Sequence, residues 1–259
     1  MATLISWTMG HYPDIGVRHV PREHAREWLR RGWDDLTHMR MASLGHGVLI
    51  AMIGAVLLSV GSTHPYFIAA AISGYLLVGP IMTVGACELS RRRAAGESIS
   101  FDDSLDALAR NPRGLLQFGA ILAVIAVVWF AASEVMLRSV LDIRGPSFAE
   151  TIWGGFTDTG SRAEVLAYLA SGAVLAAIVF ALSVVAVPLI IDRRASAAAA
   201  MWVSVKATLA NPSAMLIWGG LIVVLTLAGF LTLLVGMIVV TPLLGHATWH
   251  AYRDLVAET

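Results

Sequence analysis

A run of 40 residues without Asp, Glu, Lys or Arg, 213–252, constrains the fold of this chain more than any other feature. A helix rises about 1.5 Å per residue, so the run is about twice as long as the ~30 Å hydrocarbon core of a bilayer is thick. It therefore predicts a hairpin of two membrane helices, with its turn near 228–232. Four further charge-free windows are each long enough for one span. They cover about 42–61, 66–87, 114–133 and 165–191.

The composition agrees with a membrane location. Hydrophobic residues make up 57% of the chain and charged residues 14%, with a mean hydropathy of +0.73, so the apolar excess needs lipid to cover it. The formal net charge is zero, which gives no field that would attract nucleic acid. A single cysteine, Cys87, excludes an internal disulfide framework and any CxxC motif. The amino terminus has no basic region, which argues against a cleaved signal peptide. We therefore predict an all-α bundle of six transmembrane helices whose first partner is the lipid bilayer.

Orientation follows from the 18 Lys and Arg residues, because basic residues near span ends are retained in the cytoplasm. Six precede the first span, five lie between the second and third, three between the fourth and fifth, and Arg253 follows the sixth. The opposite side has only Arg138, Arg144 and Arg162. Both termini are therefore predicted to be cytoplasmic.

The chain also contains a three-fold pattern. WDDLTHMRMASLGHGVLI from Trp33, LDALARNPRGLLQFGAIL from Leu105 and VKATLANPSAMLIWGGLI from Val205 share one layout, in which the Asn-Pro pairs at 111–112 and 211–212 end one helix just before the next begins. A late proline, at 80, 188 or 242, marks each even-numbered span. We interpret the chain as an N-terminal cytoplasmic segment, 1–22, and a single membrane domain, 23–259. The domain has three repeats of about 23–92, 98–194 and 195–255.

Each repeat is predicted to begin with an amphipathic helix at the cytoplasmic interface. In the first, an apolar stripe lies opposite Arg26, Arg30 and Arg31, and in the second Ser100 and Asp103 form an N-terminal cap. The predicted apolar stripes are Trp28, Leu29, Trp33 and Leu36; Phe101, Leu105 and Leu108; and Met201, Trp202, Val205 and Leu209. Together the three helices would form a collar around the spans.

The motif GHATWH is the most specific candidate for chemistry. His246 and His250 stand four residues apart and so share one helical face, a spacing found in metal pairs. Aligning the late prolines places Glu88 level with His250, and His46 lies near the start of the first span. If spans one, two and six are neighbours, these side chains and Cys87 converge in the inner leaflet as a candidate metal or haem site. The alternative is that the histidines bond to neighbours and that Glu88 pairs with Arg91, Arg92 and Arg93.

Motifs for catalysis are absent from the sequence. There is no GxxxxGK[ST], GxGxxG, GxSxG or HExxH pattern and no paired intramembrane carboxylate, so we predict that the chain is not an enzyme and needs no cofactor. A transporter remains an alternative, because the prolines and glycines in the spans could mark broken helices.

Three stretches resemble a bacterial family of multi-spanning membrane proteins with an uncharacterised domain. They are LLVGPIMTVGACELSRRRAAGESISFDDSLDALARNP, VFALSVVAVPLIIDRR and TPLLGHATWHAYRDL, and the likeness covers most of the chain after about Val17. The resemblance implies a bacterial inner membrane protein and transfers no activity. Some family members are loosely labelled as similar to cytochrome oxidase subunits, but this chain lacks the mid-span histidines that haem and copper need.

These observations lead to one leading hypothesis and two alternatives. The leading hypothesis is a non-catalytic inner membrane protein that acts as an accessory subunit or assembly factor of a larger, for example respiratory, complex. Small residues are frequent in the spans, which permits close helix contact with other membrane subunits. The alternatives are a small-molecule or ion transporter, and a metal- or haem-binding membrane protein.

Overall fold

A computed structural model describes residues 15–61, 77–139 and 162–257 of the chain, and within them the structure is helical apart from short connections and one isolated β-bridge. The outer half of the predicted second span and the predicted long loop between spans three and four lie outside these residues. Ten helices are named here. They are α1 His24–His38, α2 Arg40–Gly61, α3 Val84–Ala95, α4 Phe101–Arg110, α5 Pro112–Ser139, α6 Arg162–Ser183, α7 Ala186–Asp192, α8 Ala197–Ala210, α9 Pro212–Leu231 and α10 Met237–Leu255.

Three helices in the described part are long and apolar enough to cross a membrane. They are Pro112–Met136, Arg162–Asp192 and Pro212–Leu231. The pair α1 and α2 passes the same test when its two members are taken together, although the axis bends by 103° between them. The all-helical prediction is confirmed for the described residues, and three or four apolar spans support it.

The turn of the predicted last hairpin lies later than expected. Helix α9 continues to Leu231, and the turn covers 232–236 rather than 228–232. Thr232 contributes to this position, because its hydroxyl donates to the carbonyl of Gly229 (2.8 Å) and accepts from the amide of Gly236 (2.7 Å). A side chain that closes the turn in this way gives little signal in an apolar sequence.

The junctions between interfacial and apolar helices follow local sequence rules. Helix α4 ends at Arg110 and α5 begins at Pro112, while α8 ends at Ala210 and α9 begins at Pro212. The predicted cap of α4 is confirmed, since the hydroxyl of Ser100 accepts the amide of Asp103 at 3.0 Å. At the first junction no proline is present, and the helix breaks at Met39.

The interfacial helices bury small side chains and expose large apolar ones. In α4 the buried residues are Ser104 and Ala107, whereas Leu105 and Leu108 are exposed; in α8 Trp202 and Leu209 are exposed. These four large side chains therefore point away from the protein core, as expected for helices in the headgroup region.

Helix α1 differs from the amphipathic helix that the sequence predicts. Its buried face includes Trp28, Gly32 and Asp35 and packs along α10, while Trp33 is half exposed. The predicted stripe through Trp33 was therefore only partly right. The reason is that Gly32 has no side chain: a Cβ atom there would lie 2.7 Å from the backbone nitrogen of Ala247.

Helix α10 occupies the centre of the fold and packs against α1, α2, α3 and α9. Its end also joins the N-terminal segment, because Val17 and Val256 form an antiparallel bridge and the amide of Arg18 donates to the carbonyl of Leu255 at 2.8 Å. The two ends of the described chain thus lie side by side.

Asn211 fixes this N-terminal segment to the bundle. Its side-chain oxygen accepts the amide of Val20 (2.8 Å), and its side-chain nitrogen donates to the carbonyls of Arg18 (3.0 Å) and Ala207 (3.0 Å). Asn111, the matching residue of the second junction, instead donates to Ile190 (3.3 Å) and Ala195 (2.8 Å). Each asparagine therefore ends its own helix and ties a distant segment to that point.

We expect Asn211→Ala to lower the free energy of unfolding by about 2 kcal/mol, because the partly buried amide of Val20 and the carbonyls of Arg18 and Ala207 lose their partner. Trypsin should also cleave faster at Arg18 and Arg22 in the variant. Thermal unfolding in detergent and limited proteolysis would measure the two effects. Thr37→Ala, which removes an exposed bond within α1, is the control. Equal protease resistance of the two variants would contradict the role of Asn211 in holding the N-terminal segment to the bundle.

Candidate functional site

His246 lies at the centre of a buried polar network. Its side chain is completely buried, and its two ring nitrogens contact the hydroxyls of Ser90 (Nδ1, 2.8 Å) and Ser43 (Nε2, 2.8 Å). Ser43 belongs to α2 and Ser90 to α3. One imidazole ring therefore joins three helices.

Asp35 on α1 extends this network to a fourth helix. One of its carboxylate oxygens accepts from the hydroxyl of Ser90 and lies 2.9 Å from Nε2 of His250, and the other accepts from Arg93 at 2.6 Å. We call Asp35, Ser43, Ser90, His246 and His250 the histidine network.

The hydrogen positions in the network follow from the chemistry of its members. A carboxylate only accepts, so the single hydroxyl hydrogen of Ser90 goes to Asp35. The oxygen of Ser90 must then accept from Nδ1 of His246. With Nδ1 protonated, Nε2 of a neutral ring accepts from the hydroxyl of Ser43. Asp35 thus fixes the tautomer of His246 through Ser90.

This order of groups is that of a hydroxyl, a base and an orienting acid, which hydrolases use for nucleophilic attack. Here, however, both Ser43 and His246 lie inside the protein, with Ser43 at 0% exposure. A substrate could not reach the hydroxyl in this arrangement. What the network does in this structure is to hold α1, α2, α3 and α10 together.

Glu88 lies in a second cluster, the arginine cluster, which consists of Glu88, Arg91, Arg92, Arg110 and Glu97. The buried carboxylate of Glu88 accepts hydrogen bonds from Arg91 (2.8 and 2.9 Å), Arg92 (3.2 Å) and Arg110 (3.2 Å). Arg91 also pairs with Glu97 at 2.6 Å. Bonds to Glu97 and Glu88 raise the pKa of the Arg91 guanidinium above its usual range, and the bond from Arg91 lowers the pKa of Glu97. The bonds from Glu88 to Arg110 and from Arg92 to Asp106 tie α3 to α4.

His46 takes part in neither cluster. Its Nε2 lies 2.6 Å from the hydroxyl of Ser104, and its ring packs on Phe101, with 4.7 Å between ring centroids. The other face meets Gly85, where a Cβ atom would lie 2.2 Å from the imidazole. Cys87 is also buried, and its thiol donates to the carbonyl of Gly245 at 3.2 Å.

The structure thus brings the predicted site residues into one region but gives them separate partners. Helices α2, α3 and α10 pack together, as the convergence hypothesis assumed. His246 and His250 share the histidine network, whereas Glu88 pairs with arginines and His46 with a serine. Within the residues that the structure describes, no group of three or more His, Cys, Asp or Glu side chains is arranged to hold a metal ion.

Sequence reasoning missed Asp35, Ser43 and Ser90, which determine the environment of His246. For Asp35 a signal was present: it lies seven residues after Trp28 and so on the same face of α1, where an acid inside an apolar stripe indicates a buried partner. Ser43 and Ser90 carry no comparable signal, because serine is common in spans and its partners are 203 and 156 residues away in the chain.

Comparison with known proteins agrees with a membrane location. Residues 67–192, just under half of the chain, match the model of a family described as "Predicted integral membrane protein (DUF2189)". No curated protein and no solved structure matches the chain. The matched region includes Glu88 and the arginine cluster but ends before His246. Together with the apolar helices, the match supports an integral membrane protein from a family of uncharacterised function.

Proposed function

We propose that this integral membrane protein is non-catalytic and acts by contact, as an accessory subunit or assembly factor of a larger complex in the bacterial inner membrane, with respiratory complexes as one candidate class. The observation that carries the proposal is how its buried polar groups are used. His246, Asp35 and Glu88 all bind side chains of the same chain, and each joins separate helices. These groups support a rigid scaffold rather than a reactive site.

Many of the side chains that this scaffold exposes along the spans are large and apolar. On α5 and α9 the side chains Val124, Val127, Val223 and Val224 are more than half exposed, and no charged residue interrupts them. Apolar surfaces of this kind pack equally well against lipid or against helices of another membrane protein. Selective contact with partner helices is the role that we propose for them.

The proposed topology keeps both termini in the cytoplasm and keeps the three repeats. The pairing of Val17 with Val256 supports the first part, since it places the two ends of the described chain on one side. The repeats gain support from the helix breaks at Met39, Asn111 and Asn211, which occupy aligned positions of the three sequences.

Native mass spectrometry of the full-length protein, extracted from its own membrane with a mild detergent or in lipid nanodiscs, tests the contact role. We expect a defined mass that contains this chain and at least one other membrane protein in a fixed ratio. A photo-cross-linker at Val127 or Val224 should capture that partner, whereas the same probe at the buried Leu122 should not. A solitary monomer with lipid adducts alone would overturn the proposal.

The proposal includes no metal or haem. Elemental analysis and an absorption spectrum of protein purified from its native membrane check this part. A stoichiometric metal or haem that is lost from His246→Ala would instead establish the metal- or haem-binding alternative, with His46, Glu88 and His250 as the other ligands to test.

A transporter is the second candidate, and the interrupted helices favour it. The helical path breaks at Thr83 and again at 184–185, in addition to the bend at Met39. Interrupted helices are typical of transporter binding sites. Flux into liposomes would distinguish the candidates: a flux that Glu88→Gln and His246→Ala reduce supports transport, and the absence of such an effect argues against these residues as its site.

A further inference from the structure

The last hairpin consists of α9 and α10. The part of it that extends beyond the level of the charged side chains is shorter than the hydrocarbon core of a bilayer. His250 on α10 bonds to Asp35, and Arg93 joins Asp35 to Asp34, whose side chain is 69% exposed. Exposed charges place this level at the headgroups or in water. From His250 to Met237 the helix rises 13 residues, or about 20 Å, against a hydrocarbon core of about 30 Å.

Helix α9 gives the same length from its own contacts. Its first turns lie beside the charged level, because Asn211 binds the N-terminal segment and Trp218 packs edge-to-face on Trp28, at 5.9 Å between ring centroids. From Trp218 to Leu231 the helix again rises 13 residues, or about 20 Å. Although α9 is 20 residues long, its first third lies at the level of the charged side chains and does not contribute to the length inside the hydrocarbon core.

Helix α2 is an internal measure of depth, because it runs beside the hairpin. A Cβ atom at Gly54 would lie 2.9 Å from Leu234, in the turn of the hairpin. Helix α2 then continues to Gly61, seven residues or about 10 Å further. The turn therefore ends about a third of a bilayer short of the outer end of its neighbour.

The turn itself has the chemistry of a segment in hydrocarbon. Leu231, Leu233 and Val235 are 85%, 87% and 66% exposed, and between Trp218 and His246 there is no charged residue, Trp or Tyr that could anchor it at an interface. Its backbone is largely satisfied from within, as a lipid environment requires. The amides of Leu233, Val235 and Met237 donate to the carbonyls three residues before them at 2.9, 3.1 and 3.0 Å.

We infer that α9 and α10 form a re-entrant hairpin: it enters from the cytoplasmic side, and its turn, 232–236, ends within the bilayer in contact with acyl chains. This revises the prediction that these two helices cross the membrane, and it leaves both termini on the same side. The contact partner of the turn is lipid, because Leu233 and Val235 face outward and the hydroxyl of the exposed Thr232 is bonded to backbone groups of Gly229 and Gly236.

Depth measurement by electron paramagnetic resonance tests the inference on the full-length protein in phosphatidylcholine–phosphatidylglycerol vesicles. A nitroxide is attached to Leu233→Cys, to Ser59→Cys near the outer end of α2, and to Arg26→Cys on the cytoplasmic side. Cys87 is fully buried, so the wild-type protein serves as the labelling blank. Collisions with oxygen report lipid, and collisions with a water-soluble nickel chelate report water.

We expect the label at Leu233 to collide often with oxygen and rarely with the nickel chelate, at a depth about 7 Å greater than that at Ser59, which lies five residues beyond Gly54 on α2. A label at Val235→Cys, in the same turn, should repeat this result. Nickel collisions at Leu233 as frequent as those at Arg26 or Ser59 would overturn the inference. Rare collisions with both reagents would also overturn it, because protein rather than lipid would then cover the turn.

Discussion

Replacing Gly47 by alanine is expected to prevent α2 and α10 from packing as they do in this structure. A Cβ atom at Gly47 would lie 1.9 Å from the carbonyl oxygen and 2.6 Å from the carbonyl carbon of Ile238. Both are backbone atoms, so no side-chain rotation can relieve the overlap, and the helices must move apart. Overpacking in a core costs about 1–3 kcal/mol and occasionally more, and backbone contact places this site at the upper end. We expect a loss of about 3 kcal/mol in the free energy of unfolding, measured by denaturant titration in micelles.

Gly220→Ala on α9 and Gly79→Ala on the helical residues before α3 are matched controls. At both positions a Cβ atom would meet no other atom within 4 Å. Because alanine favours helix over glycine by up to about 1 kcal/mol, these variants should be as stable as the wild type or slightly more stable. If Gly47→Ala matched them, the close approach of α2 and α10 would be wrong.

Glu88→Ala is expected to be the most damaging single change among the charged residues. The substitution removes the acceptor that Arg91, Arg92 and Arg110 share inside the protein. Breaking a buried ion pair from one side costs about 3–5 kcal/mol, because the remaining charge stays buried without compensation. Arg91 keeps Glu97 and Arg92 keeps Asp106, so we expect a loss near 3 kcal/mol and separation of α4 from α3. Thermal unfolding and cross-linking between the two helices would report these effects.

Glu23→Ala is the corresponding control for an exposed pair. Glu23 pairs with Arg22 at 3.1 Å, but both side chains are 70% exposed, and such pairs contribute about 0–1 kcal/mol. Its stability should remain close to that of the wild type. An equal, small effect of Glu23→Ala and Glu88→Ala would mean that Glu88 is in contact with water and that the arginine cluster is not a structural tie.

Local sequence determined the elements of this fold. Uncharged runs of bilayer length gave α2, α5, α6 and α9, and the cap at Ser100 and the proline at 112 determined where α4 and α5 begin. These features act over a few residues, through backbone geometry and desolvation, so they can be recognised without knowing any distant contact. The family resemblance, by comparison, added a membrane setting and no residue roles.

The partners of the candidate residues depended on tertiary structure. The sequence could place His246 and His250 on one helical face, but whether that face met a metal, a lipid headgroup or a protein side chain depended on helices far away in the chain. Gly32 let α1 approach α10, and this contact brought Asp35 to Ser90 and His250. The depth of the hairpin was also hidden, because a charge-free run of 40 residues sets the total length of two helices and not how far they lie above the charged layer. The contacts of His250, Trp218 and Leu234 with distant residues provided that measure.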